Sequence, residues 1–279
     1  MSERVRIRRI LVALDASRQS LAALDAATHL ASELEAELLG MFVEDVNLLR
    51  LAGLPFAREI GHATARARRL ADVDMRRALR AQAARAEEAL AGAARGRNLR
   101  WSFRVTRGQV AAEILHAAQE SDLLALGVTY ISVSPGARFG TTLRAVMAAA
   151  PRPLLLLPAG ARLGPPYVLV YDGSDAAQRA LALAASLAAR STPPLLTVLV
   201  AAPPDRVVQL REDARERLQG SGFAVAFRDV AGTDAAALAR ALRGCAPGVV
   251  VLPAGQALLA DAGCERLLES LRCAALVVR

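Results

Sequence analysis

A chain of 279 residues can hold two domains of ordinary size. It is 54% hydrophobic but only 4% aromatic, so its core must be built from Leu, Val and Ala. All 35 basic residues are arginine, for a net charge of +8, which excludes a Walker-type phosphate loop, a Schiff-base lysine and any catalytic lysine. Residues 1–160 hold 22 Arg against 16 acids and the rest 13 against 11, so the excess sits in the first half. No run of about 18 uncharged apolar residues occurs, and no membrane span is predicted. The start, M-S-E-R-V-R-I-R-R-I, lacks an apolar stretch before a cleavage site, so a cytoplasmic protein without a signal peptide is expected. Cys245, Cys264 and Cys273 form no C-x2-C pair and read as small buried or helical thiols. His29, His62 and His116 are scattered, so no metal site is expected.

Residues 7–14, I-R-R-I-L-V-A-L, read as a buried strand ended by Asp15-Ala16-Ser17. Asp15 or Ser17 can cap the helix expected over 18–36. A second strand follows at 38–43, and the β-α-β order implies a parallel sheet. Asp15 then lies beyond the carboxyl end of a strand, where open α/β sheets bind ligands. Residues 44–75 form a long insert of the kind that serves as lid or interaction loop. Residues 50–107 carry 14 Arg against 5 acids, with only Phe56, Trp101 and Phe103 as aromatics. This reads as a solvated basic face rather than a nucleic-acid surface, which would interleave stacking aromatics. A helix over 76–95, a one-sided strand over 99–106 and a helix over 110–119 complete the lead-in to the most informative stretch.

That stretch is D-L-L-A-L-G-V-T-Y-I-S-V-S-P-G-A-R-F-G-T-T, residues 122–142. The apolar run 123–126 is a buried strand, which Gly127 is expected to stop. A polar loop through Ser132, Ser134, Pro135, Gly136 and Arg138 leads to Gly140-Thr141-Thr142, which opens an Ala-rich helix. Free N–H groups and the positive end of the helix dipole would meet there and favour an anion such as phosphate. A fifth strand, 154–157, closes the unit, giving five strands and four helices.

The segment 158–166, P-A-G-A-R-L-G-P-P, reads as a linker. Beyond it the pattern restarts at a constant offset of 157: Asp15 meets Asp172, Ser17 meets Ser174, Leu30 meets Leu187 and Val43 meets Val200. This is an internal repeat. The second copy lacks the insert and runs through a helix over 205–218, a strand over 223–230, a helix over 234–242 and strands over 249–252 and 274–278. Pro253 stands where Gly127 does, the glycine spacing is missing, and Asp261 and Glu265 fall where a phosphate would sit. Like charges oppose an anion there, so this copy is expected not to bind one.

Gly127, two residues, Tyr130, nine residues and Gly140-Thr141 resemble the G-x2-G-x9-G-[S/T] loop of the universal stress protein family, with Tyr130 replacing the second glycine. V-A-L-D-A-S and V-L-V-Y-D-G-S resemble the family's first-strand motif, and the resemblance covers nearly all of the chain except the insert. It implies an α/β chain of two tandem doubly wound, parallel five-stranded domains of the adenine-nucleotide α-hydrolase-like, Rossmann-like kind, at 1–160 and 161–279. It also implies pairing of the two domains, as a pseudo-dimer, or of two chains as a homodimer, around the last strands.

The resemblance further implies an adenine nucleotide, ATP with or without Mg2+, bound in the first domain of a stress-response protein. Ala13, Asp15 and Val43 would hold the adenosine, and Gly127, Gly140, Thr141 and Thr142 the phosphates, with Arg138 as charge partner. Tyr130 either bonds or stacks on the ligand or closes the pocket. The sequence lacks the glycines of a pyrophosphate-binding S-G-G-x-D-S motif and any paired catalytic carboxylates, so at most a slow ATPase is expected. The alternative is a nucleotide-free, dimeric interaction scaffold that holds an unidentified protein partner through the Arg-rich insert.

Overall fold

The computed structural model describes residues 7–54, 58–60, 67–69, 72–128, 130–132, 137–230, 235–255 and 267–279; at 58–60, 67–69, 72, 130–132, 137–138 and 235 only the backbone is described. In the first half, β1 (Arg9–Ala13) leads through α1 (Arg18–Leu34) to β2 (Glu37–Asp45). A short helix α2 (Val46–Ala52) and a hairpin of β3 (Arg58–Ile60) and β4 (Ala67–Arg69) come before α3 (Asp72–Arg95) and β5 (Trp101–Gly108). Then come α4 (Val110–Ala118), β6 (Leu123–Val128), a hairpin of β7 (Tyr130–Ser132) and β8 (Ala137–Phe139), α5 (Thr141–Ala149) and β9 (Leu154–Pro158). The second half runs β10 (Tyr167–Tyr171), α6 (Asp175–Ala188), β11 (Leu196–Val200), α7 (Pro204–Arg217), β12 (Val225–Asp229), α8 (Ala235–Cys245), β13 (Val249–Pro253) and β14 (Ala274–Val278).

Ten of these strands form one sheet in the order β12-β11-β10-β13-β14-β9-β6-β1-β2-β5. Outward from the centre, each half has the same order, and within each half every neighbouring pair is parallel. The halves meet where β14 pairs antiparallel with β9, Leu276 opposite Leu155. The last strands therefore pair within one chain. β9, β10, β13 and β14 are buried along their whole length, because helices cover both faces of the sheet. Such strands read as unbroken apolar runs, which is why the sequence shows them clearly. One apolar layer packs α1, α3, α6 and α7 on the sheet, and the other packs α4, α5 and α8.

Three expectations change. β2 runs on to Asp45 and α3 starts at Asp72, so the insert is residues 46–71, and it contains α2 and the β3–β4 hairpin. Gly127 does not end β6: it lies inside the strand and pairs with Leu157. Its lack of a side chain has another cause, since a Cβ there would stand 2.4 Å from the Gln19 carbonyl group and 2.7 Å from the Ser20 nitrogen. The loop after β6 contains the short β7–β8 hairpin, with Tyr130 opposite Phe139.

Candidate functional site

Within the first half the strand order reverses between β1 and β6, the switch point where doubly wound sheets open a crevice beyond their carboxyl ends. A cleft of about 340 Å³ lies there. The end of β1 and the segment after it (Ala13, Leu14, Asp15, Ser17), the end of β2 (Met41, Phe42, Val43, Asp45), β6 (Leu126, Gly127) and the start of α5 (Gly140, Thr142) all line it. Six of the residues singled out in the sequence are thus brought together: Ala13, Asp15, Val43, Gly127, Gly140 and Thr142. Thr141 is exposed and is not part of the lining. The side chains of Tyr130 and Arg138 lie outside the described residues, as do Asp261 and Glu265 of the second half.

The turn after β1 is built by its own polar groups. The Ser17 side chain accepts from the Ser20 N–H at 3.2 Å and caps α1, while Asp15 Oδ1 accepts from the Ser17 N–H at 2.9 Å. Burial raises the pKa of Asp15, but the hydrogen bonds from Ser17 and Ser20 outweigh it and hold the carboxyl below its ordinary value. Asp15 therefore presents a carboxylate at the cleft. Between them Ala16 is left-handed, φ 60°.

Opposite stands the N-terminus of α5. Its cap is Gly140, which has no side chain to bond the first free N–H groups. The cleft also has an apolar wall: Leu14, Phe42, Leu48 and Leu79. Sequence reasoning missed Gln19 and Ser20 of α1, Asp45 and Leu48 at α2, and Leu79 and Gln82 of α3. The pattern Asp45-Val46-Asn47 was a usable signal, because Asp45 Oδ1 accepts from the Asn47 N–H at 2.8 Å and caps α2. No arginine or histidine lines the cleft among the described residues.

The second half treats the same turn differently. Asp172 Oδ1 accepts from the Ser174 N–H at 3.0 Å and its hydroxyl at 2.6 Å, and Gly173 is left-handed, φ 80°. The buried Leu210 of α7 then closes over the turn, its methyl 2.4 Å from where a Gly173 Cβ would be. The Tyr171 hydroxyl donates to Asp213, also on α7. A larger groove of about 870 Å³ is lined by the end of α1, by α6 and by the end of α7. It lies at the amino ends of the strands, the wrong side of the sheet for this fold's ligands.

A family model for the universal stress protein family matches residues 6–158. No curated protein matches the chain. Among solved structures, a universal stress protein from Archaeoglobus fulgidus DSM 4304 superposes with a TM-score of 0.73 at 15% identity, covering 96% of this chain and 97% of that one. A functionally unknown protein from Pseudomonas aeruginosa PAO1 gives 0.59 at 18% identity, covering 98% and 92%. A universal stress protein in complex with cAMP matches 56% of this chain and 99% of its own at 18% identity, TM-score 0.41. No helix among the described residues is long and apolar enough to cross a membrane. With the family model spanning more than half its length and the same strand order built a second time behind that match, the chain belongs to the universal stress protein family as a tandem member.

Proposed function

We propose that the chain binds one adenine nucleotide, ATP with or without Mg2+, in the cleft of its first half, and acts as a nucleotide-responsive stress or regulatory protein. The division of the chain near residue 160 into a binding and a non-binding unit is part of this reading. The observation that carries it is the convergence of Asp15, Val43, Gly127, Gly140 and Thr142, distant in sequence, on one crevice at the switch point. The volume of about 340 Å³ is within the range of small-molecule sites. Leu14, Phe42, Leu48 and Leu79 offer an apolar slot for a base, and Asp15 offers a carboxylate to ribose hydroxyls. The uncapped α5 N-terminus offers N–H groups to phosphate. The second half has Leu210 over the equivalent turn, so one site per chain is proposed.

The test is equilibrium dialysis of ATP with magnesium against wild type and Gly140→Leu. A side chain at the cap of α5 fills the approach to its free N–H groups, and binding is expected to be lost with the fold intact. Unchanged affinity in Gly140→Leu removes the α5 N-terminus from the site.

A further inference from the structure

The repeat places one more residue in the cleft. α3 and α7 occupy equivalent positions after the second strand of each half, and both carry Leu-x-x-polar-Ala: Leu79, Gln82 and Ala83 in one, Leu210, Asp213 and Ala214 in the other. Both leucines and both alanines are buried, so the two helices present the same face to the sheet. Gln82 therefore stands where Asp213 stands. In the second half Asp213 is occupied by the Tyr171 hydroxyl. Tyr171 corresponds to Leu14 at the repeat offset of 157, and Leu14 has no polar group to offer. Gln82 is thus half-buried, lines the cleft, and has no hydrogen-bond partner among the described residues.

Resting on the reading of the cleft as an adenine-nucleotide site, we propose that Gln82 determines base specificity, its carboxamide bonding the base where Asp213 of the second half bonds the Tyr171 hydroxyl. Geometry selects the base rather than the phosphates. α3 packs on β2 and β5, whereas the α5 N-terminus and Gly127 lie on the other side of β1. A ligand with its phosphates at α5 spans roughly 10 Å, two strand spacings, before it reaches α3. Its far end meets Gln82 among Leu14, Phe42 and Leu79. A carboxamide carries one acceptor beside one donor, the complement of the N6–H and N7 of adenine; guanine shows two acceptors on that edge.

Titration calorimetry of wild type and Gln82→Leu with ATP and with 7-deaza-ATP, which lacks only the N7 acceptor, tests this. Wild type is expected to prefer ATP by about tenfold, since the analogue leaves a buried amide donor unpaired. Gln82→Leu is expected to lose affinity for ATP but not for 7-deaza-ATP, and so to show less than about a twofold preference. A thermal midpoint near that of wild type shows that the variant folds, and Gln82→Ala repeats the test if it does not. A wild-type preference that persists in the variant overturns the role of Gln82, as does an equal loss of affinity for both ligands, which marks a structural residue. A wild type that favours neither ligand also overturns it while leaving the nucleotide site standing. A wild type that binds neither ligand overturns both.

Discussion

Replacing Gly127 with alanine tests the packing of the cleft floor. The added Cβ would stand 2.4 Å from the Gln19 carbonyl carbon and oxygen and 2.7 Å from the Ser20 nitrogen. Comfortable contact is about 3.5 Å, so the first turn of α1 must retreat by roughly 1 Å. These atoms are helix backbone and cannot rotate away as a side-chain tip could. Overpacking of this kind costs about 1–3 kcal/mol, and backbone neighbours put Gly127→Ala at the upper end. At this chain length that lowers the thermal midpoint by about 4–8 °C. The same turn carries Ser17 and Ser20, so nucleotide affinity falls with it. Gly92→Ala is the matched control: it lies within α3 with nothing inside 4 Å of the new Cβ, and it is expected to gain about 0.5–1 kcal/mol. Differential scanning calorimetry on both proteins decides. A Gly127→Ala midpoint equal to or above wild type would refute the contact between β6 and α1.

Ala16→Gly is expected to stabilise by about 1 kcal/mol in urea denaturation, because Ala16 is held at φ 60°, where its repeat counterpart is already Gly173. Tyr171→Phe removes the hydroxyl that Asp213 accepts and should cost about 1–2 kcal/mol without changing nucleotide affinity, since it lies in the other half. The carboxyl of Asp15 is held below its ordinary value of 3.8. The stability it contributes is therefore present above that value and lost as pH falls through the lower folded value. Urea midpoints of wild type and Asp15→Asn should differ at neutral pH and converge in acid; a gap that stays constant with pH contradicts the hydrogen-bonded carboxylate. Burial pushes the Cys273 thiol up to about 11, so it should resist thiol reagents at neutral pH until the protein unfolds.

The parts of the fold legible in the sequence are those where packing and periodicity coincide. β10 and β13 are buried on both faces, so Y-V-L-V-Y and V-V-V-L-P stand out as apolar runs. α1 is legible because Ser17 caps it and Ala23, Leu24, Ala27 and Leu30 recur on one face. The repeat was visible because D-A-S and D-G-S serve the same turn. Gly127 was misplaced because a glycine in an apolar run does not say which neighbour requires it; only the nearness of α1 does. The wall formed by Leu79 and Gln82 was hidden because α3 is an Ala- and Arg-rich helix whose orientation is set by packing on β2 and β5. The short α2 and the β3–β4 hairpin escaped because elements of three to seven residues leave little periodicity.

One measurement reaches the central claim most directly: isothermal titration of the purified full chain, stripped of any co-purified nucleotide, with ATP and magnesium. One ATP per chain, with binding abolished by Gly140→Leu, is the predicted result. No saturable binding, or two equivalent sites per chain, would contradict a single competent cleft in the first half.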